Sequence, residues 1–284
     1  MSEYARHIWL FARLTLREAW RRRLLWIAVG LSLAFLALYA VGFWAAHRDA
    51  MREFGDPSNL FAQTFVSTFT MIGLYAVNFL IVMTTVLTAV GSLSQEISSN
   101  TIHTLAAKPV RRWEIFVGKW LGHALMLAGY TGVLFGGVLL SVFAVTGYYL
   151  PPSPWQGLAL MLLEGLVILS VTLFGSSRLS TLANGVVVFM LYGLSFVGAW
   201  TEQLGALFDS PTAVDLGILS SLILPGEALW RRAAYLMQTS LARNFGGSPF
   251  GAVSVPSGWF VLYAVLYMLA MVALGIRAFA RRDL

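Results

Sequence analysis

The chain has 284 residues, of which 58% are hydrophobic and only 11% charged, with a mean hydropathy of +0.74. A soluble domain carries about 25% charged residues, so this chain lacks the polar surface needed to stand in water. The lack of cysteine excludes disulfides, thiolate metal sites and cysteine nucleophiles, and the formal net charge of +6 is read as charge facing anionic lipid headgroups rather than nucleic acid.

Residues 1–23 come first. Tyr4, Ile8, Trp9, Phe11, Ala12, Leu16 and Trp20 mix with Arg6, Arg13, Arg17, Arg21 and Arg22. This predicts an amphipathic helix lying flat in a membrane interface, serving either as an elbow that docks a partner or braces the first span, or as a topology anchor. Six apolar runs follow, at about 24–46, 69–93, 120–148, 156–173, 182–200 and 259–279. Each is near or above the ~20 residues a helix needs to cross ~30 Å of hydrocarbon. They are continuously apolar rather than alternating, which predicts helices and not barrel strands. The first run is too long for a cleavable signal peptide. The fold class expected is therefore all-α and polytopic.

Between the fifth and sixth runs lies a region, 201–258, holding Pro211, Pro225, Pro249 and Pro256. Its apolar stretches, 214–224 and 229–241, are short and broken at Pro225, which predicts re-entrant or interfacial helices, with two further crossings as the alternative. With the N-terminus in the cytoplasm, 14 of the 19 Lys and Arg fall on the inner side and 5 on the outer side. That is the sense of the positive-inside rule, so both termini are expected in the cytoplasm.

Catalytic chemistry is scarce. The four histidines have no second His or carboxylate at metal-ligand spacing, and no GxxxxGK[ST] phosphate loop occurs. The glycines of the third run, including Gly132 and Gly136, have the spacing of close helix packing in lipid. Glu164 lies well inside the fourth run, where a charge costs at least ~2.5 kcal/mol on insertion scales. It reads as a polar point in a substrate pathway, as a helix-to-helix contact, or as a protonated carboxyl bonded to a neighbour. Asn78, in the second run, is a weaker instance of the same thing.

The polar island between the second and third runs, QEISSNTIHTLAAKPVRRWEIFVGK over 95–119, is the richest in pattern. Ser98, Ser99, Asn100 and Thr101 can cap a helix over 102–107, Pro109 breaks it, and 111–117 starts a second short helix feeding the third run. Arg112, Glu114 and Lys119 can pair with each other, with lipid or with a partner.

This island resembles the first cytoplasmic loop of type-2 ABC exporter permeases, through Glu96, Thr101-Ile102, Leu105, Pro109, Arg111-Arg112, Glu114 and Gly118-Lys119. Asn100 stands where the family usually has Gly, and Asn tolerates the left-handed conformation better than most residues. The ending Phe279-Ala280-Arg281-Arg282-Asp283-Leu284 and the stretch Leu224-Pro225-Gly226-Glu227 with Arg231-Arg232 are similar to the same family. The six-span subgroup related to the permease serving nitrous-oxide-reductase copper maturation looks nearest.

The resemblance implies one permease domain over 24–284, with 94–119 as a coupling loop seated on a separate cytosolic ATPase. Glu96, Asn100, Thr101, Leu105, Pro109, Arg111, Arg112, Glu114, Gly118 and Lys119 would be its coupling residues. It also implies a second permease copy or homologue in a prokaryotic plasma membrane, no cofactor on this chain, and ATP with Mg on the partner. Two other classes compete: a non-transporting anchor that works on an outer-face protein, and an intramembrane enzyme, for which only Glu164 offers a buried acid. A secondary carrier would show inverted repeats or several buried charges, and neither is visible.

Overall fold

Inside hydrocarbon every backbone polar group must find its partner within its own segment, so long apolar runs become helices and Pro or polar residues set their ends. The computed structural model of the chain describes residues 3–21, 23–54, 60–95, 111–240, 243 and 254–281. Among these residues the regular structure is helical throughout. The helices are α1 (Glu3–Arg21), α2 (Arg23–Phe54), α3 (Leu60–Ala89), α4 (Arg112–Thr146) and α5 (Pro154–Ser176). They continue with α6 (Thr181–Leu207), α7 (Pro211–Ile223), α8 (Gly226–Met237) and α9 (Gly258–Ala280).

Six of them, α2 to α6 and α9, are long and apolar enough to span a membrane, so each predicted run corresponds to one helix. Several are longer than the apolar run predicts. The 32 residues of α2 reach about 48 Å at 1.5 Å per residue, so its far end projects beyond a ~30 Å core. That end carries Arg48, Asp49 and Arg52, with Asp49 lying 3.6 Å from each Arg.

Two boundaries correct the expectations. The short helix expected at 111–117 is instead the start of α4, which runs unbroken from Arg112 to Thr146 because nothing after Pro109 interrupts it. And α6 runs on to Leu207, about two turns past Trp200, which puts Glu202 on a spanning helix. Between α7 and α8 the chain bends by 108° at Leu224 and Pro225. Pro225 can neither donate a helical hydrogen bond nor let Leu224 stay helical, and Leu224 is extended.

The helices α3 and α5 form the centre, whereas α2 and α9 expose most of their surface. The main core joins Met71, Leu74, Ile81, Leu134, Met161, Ile168, Leu229 and Trp230 from α3, α4, α5 and α8. A second cluster lies at the end where Gln95 and Arg111 stand, called the loop end: Phe11, Leu93, Ile115, Phe116, Leu173 and Phe279. Exposed Trp9, Trp20 and Trp26 mark the loop end, and exposed Trp155 and Trp259 begin α5 and α9 at the far end. Amphipathic aromatic residues gather at membrane–water interfaces, so these two belts fit a bilayer between them.

Candidate functional site

At the loop end, α3 stops at Ala89 and a turn leads to Gln95, where the island begins. A helix end leaves carbonyls and amides without intrahelical partners, and here side chains from three other helices supply them. Lys119 of α4 donates its Nζ to Ser92 O (3.1 Å). Asn184 of α6 donates to Val90 O (3.1 Å) and Thr172 O (2.9 Å). Ser176, at the end of α5, accepts from the amides of Leu93 and Ser94, each at 3.1 Å. Ser94 Oγ lies 2.8 Å from Thr181 Oγ1. Together these bonds form a clasp that fixes the leg leading into the island to α4, α5 and α6.

The leg leading out of the island is held just as firmly. Gly118 and Gly122, one helical turn apart on α4, let α1 approach backbone to backbone. A Cβ at Gly118 would stand 2.4 Å from Phe11 Cβ, and one at Gly122 would stand 2.8 Å from Ala12 O. This is the small-residue packing expected of helices in lipid, but located nearer the start of α4 than Gly132 and Gly136. The sequence reading of those two is corrected for the chain by itself: a Cβ at either would meet nothing within 4 Å, because both face outward. Glu114, which is 1% exposed, lies 2.8 Å from His7 Nδ1 of α1. Arg112 donates to Ala280 O of α9 (3.2 Å), and the ring of Phe116 fills the space left by Gly275.

Of the predicted coupling residues, Glu96, Asn100, Thr101, Leu105 and Pro109 lie outside the described residues. Arg111 is exposed, with its guanidinium 5.3 Å from the Tyr4 ring centroid. Arg112 is half-buried; Glu114, Gly118 and Lys119 are buried and turned into the chain. Arg112, Glu114 and Lys119 thus bind three different elements: α9, α1 and the end of α3.

A second polar cluster lies deep in the far half. Glu164 of α5 is wholly buried, and neither carboxylate oxygen has a hydrogen-bond partner among the described residues. Asn78 of α3 is in the same position, 1% exposed with both amide atoms unpaired. The bend at Pro225 brings the start of α8 against them: a Cβ at Gly226 would sit 3.5 Å from Glu164 Oε1. Next along, Glu227 accepts from Tyr75 (3.1 Å) and Tyr192 (3.4 Å). One turn further, Arg231 and Glu202, each 4% exposed, form a two-pronged ion pair at 2.7 Å. Ser254 donates to the same Glu202 at 2.6 Å. Glu164 of α5 therefore lies beside the start of α8.

The sequence does not plainly mark out Glu202, Glu227, Arg231, Tyr192 and Asn184 as buried, or Tyr75 as half-buried beside them. A signal for Glu202 was present: Asn184, Val188, Tyr192, Ser195, Ala199 and Glu202 follow one another at three- and four-residue steps, and all are buried. The period runs straight past Trp200. Among the described residues no group of three or more His, Cys, Asp or Glu is placed to hold a metal.

The family profile described as ABC-2 family transporter protein matches residues 9–284. The chain belongs to the ABC-2 transporter family. It is also 27% identical over 221 residues to a Pseudomonas aeruginosa protein described as the probable ABC transporter permease protein NosY, covering 76% of this chain and 71% of that one. As an ABC-2 family member it is an integral membrane protein and a transporter permease.

Proposed function

We propose that this chain is the membrane subunit of an ABC exporter, which dimerises and is driven by a separate cytosolic ATPase seated on the loop 94–119. Both termini then lie in the cytoplasm and the protein sits in a prokaryotic inner membrane. ATP and Mg bind on the partner. The observation that carries the reading is the clasp. A loop that receives force must be tied at both legs to different helices, and here the leg in is held by α4, α5 and α6, while the leg out is braced by α1 and α9. A push on the island would thus reach α3 and α4 together and spread to α5, instead of bending one helix end. The similarity to a permease named NosY supports the same assignment.

A second reading has its own observation. The α7–α8 pair is bonded to α3 and α6 through Glu227 and Arg231, so motion of α3 and α6 would be felt at the far surface. In that case ATP use reshapes an outer-face protein and no substrate crosses.

The deciding experiment is a mild-detergent purification of the tagged chain with its bound proteins identified and ATPase activity assayed. A co-purifying soluble ATPase, lost when Arg111, Arg112 and Glu114 are all replaced by Ala, is the expected result. A chain that elutes alone in several detergents and hydrolyses no ATP contradicts it. Because Glu114 is buried, single Arg111→Ala serves as the control that leaves the fold intact.

A further inference from the structure

The loop end has one more feature, which neither the clasp nor the family accounts for. On α1, Arg13, Arg17 and Arg21 recur every fourth residue and so form one row. They line a hollow of about 440 Å³ together with Leu16 and Trp20. All three are exposed, and none has an acidic partner among the described residues. Leu16 and Trp20 also form the mouth of a second, apolar groove of about 390 Å³ between α1, α2 and α4. Its walls include Trp26, Leu33, Met126 and Val133.

The groove is built rather than incidental. Trp26 donates its indole N–H to Trp20 O (2.9 Å), and the two rings meet edge-on at 5.5 Å, which fixes the corner between hollow and groove. At the base the hydroxyls of Ser32 and Tyr130 bond to each other, so neither presents a free polar group to a guest. Gly129 leaves the wall open, since a Cβ there would meet nothing within 4 Å. The volume lies in the ~300–1,000 Å³ range of small-molecule sites.

The depth identifies the guest. Along α2 the groove runs from Leu25 to Leu33, and Arg23 marks the start of the helix. The ten steps from Arg23 to Leu33 rise about 15 Å at 1.5 Å per residue, which is half of a ~30 Å hydrocarbon core and so one leaflet. A row of three arginines at the surface end suits phosphate, to which guanidinium gives paired hydrogen bonds. We propose that this cleft holds one anionic phospholipid of the inner leaflet, its phosphate on Arg13, Arg17 and Arg21 and one acyl chain in the groove. A second copy of the chain packed symmetrically over the same face would set three arginines against three arginines. The bound lipid would wedge α1 against α2 and α4, beside the Gly118–Gly122 crossing.

The test is native mass spectrometry of the purified chain after exchange into mixed phosphatidylglycerol and phosphatidylcholine. The wild type should retain one phosphatidylglycerol per chain, preferred over phosphatidylcholine by at least about tenfold, given roughly 1 kcal/mol for each cation near the surface. Replacing Arg13, Arg17 and Arg21 together by Gln should abolish the preference, and replacing them by Lys should restore most of it. Gly129→Leu should lower retention of both lipids without changing their ratio. Arg178→Gln removes an exposed cation elsewhere on the loop end and should change nothing. Equal loss in Arg178→Gln and Arg17→Gln would overturn the proposal, since the effect would then be one of net charge. So would efficient cross-linking between copies from Cys introduced at Trp26 and Val133 in this cysteine-free chain, because the groove would then be a protein interface.

Discussion

The loop-end clasp and the far-half acid cluster use polar groups inside a membrane protein for opposite purposes. In the clasp most bonds run from a side chain to backbone, and they complete a helix end that hydrocarbon would otherwise leave bare. In the acid cluster they run from side chain to side chain, and they hold a bent helix pair against the spans. Clasp bonds are neutral except at Lys119, whereas the acid cluster contains a buried ion pair. The difference teaches where force can pass and where the fold is fixed: the clasp joins elements that can shift together, whereas the cluster stakes α8 in one place.

Breaking the two regions should therefore give effects of different size and kind. Arg231→Ala leaves Glu202 buried beside no cation and is expected to be the most damaging, at about 3–5 kcal/mol. Thermal unfolding in detergent should show a large drop or failure to express. Lys119→Met strips a charge-assisted bond from Ser92 O and should lower stability by about 1.5–3 kcal/mol, read from the same unfolding curves, with the loss concentrated at the loop end in hydrogen exchange. Gly122→Ala forces α1 away from α4. It should cost near the lower end of about 1–3 kcal/mol, visible as increased proteolysis within residues 3–21.

The smallest effect is expected at Glu164→Gln. Its oxygens accept nothing among the described residues, and the amide keeps shape and volume while removing a carboxyl beside Glu227. Expression and melting should match the wild type. A sharp fall in transport with normal expression would instead make Glu164 part of a substrate pathway and would join the cluster to the moving parts.

The spans were legible because a run that crosses hydrocarbon must be apolar on every side, which composition alone displays. The Pro225 break was legible for the same kind of reason, a missing N–H that no context restores. Less legible was everything that depends on which face meets which neighbour. Gly132 and Gly136 have the same spacing as Gly118 and Gly122, yet only the latter pair meets α1, because that choice depends on how α1 folds back across α4. Glu114 and Lys119 read as surface charges among polar residues, while in the fold α1 covers one and the α3 end covers the other. Glu202 and Arg231 are 29 residues apart with a bend between them, so no local pattern announces the pair.

The central claim is that residues 96–110 receive an ATPase and that the clasp carries what they receive into the spans. Site-specific photo-crosslinking addresses it most directly, with a photoreactive residue at Leu105 and, as the contrast, at Trp155, which is exposed at the far end. The account predicts that the Leu105 probe forms an adduct with a soluble ATPase subunit, that its yield changes with ATP, and that the Trp155 probe forms none. No adduct at Leu105 in membranes that contain the ATPase, or equal labelling from Trp155, would contradict it.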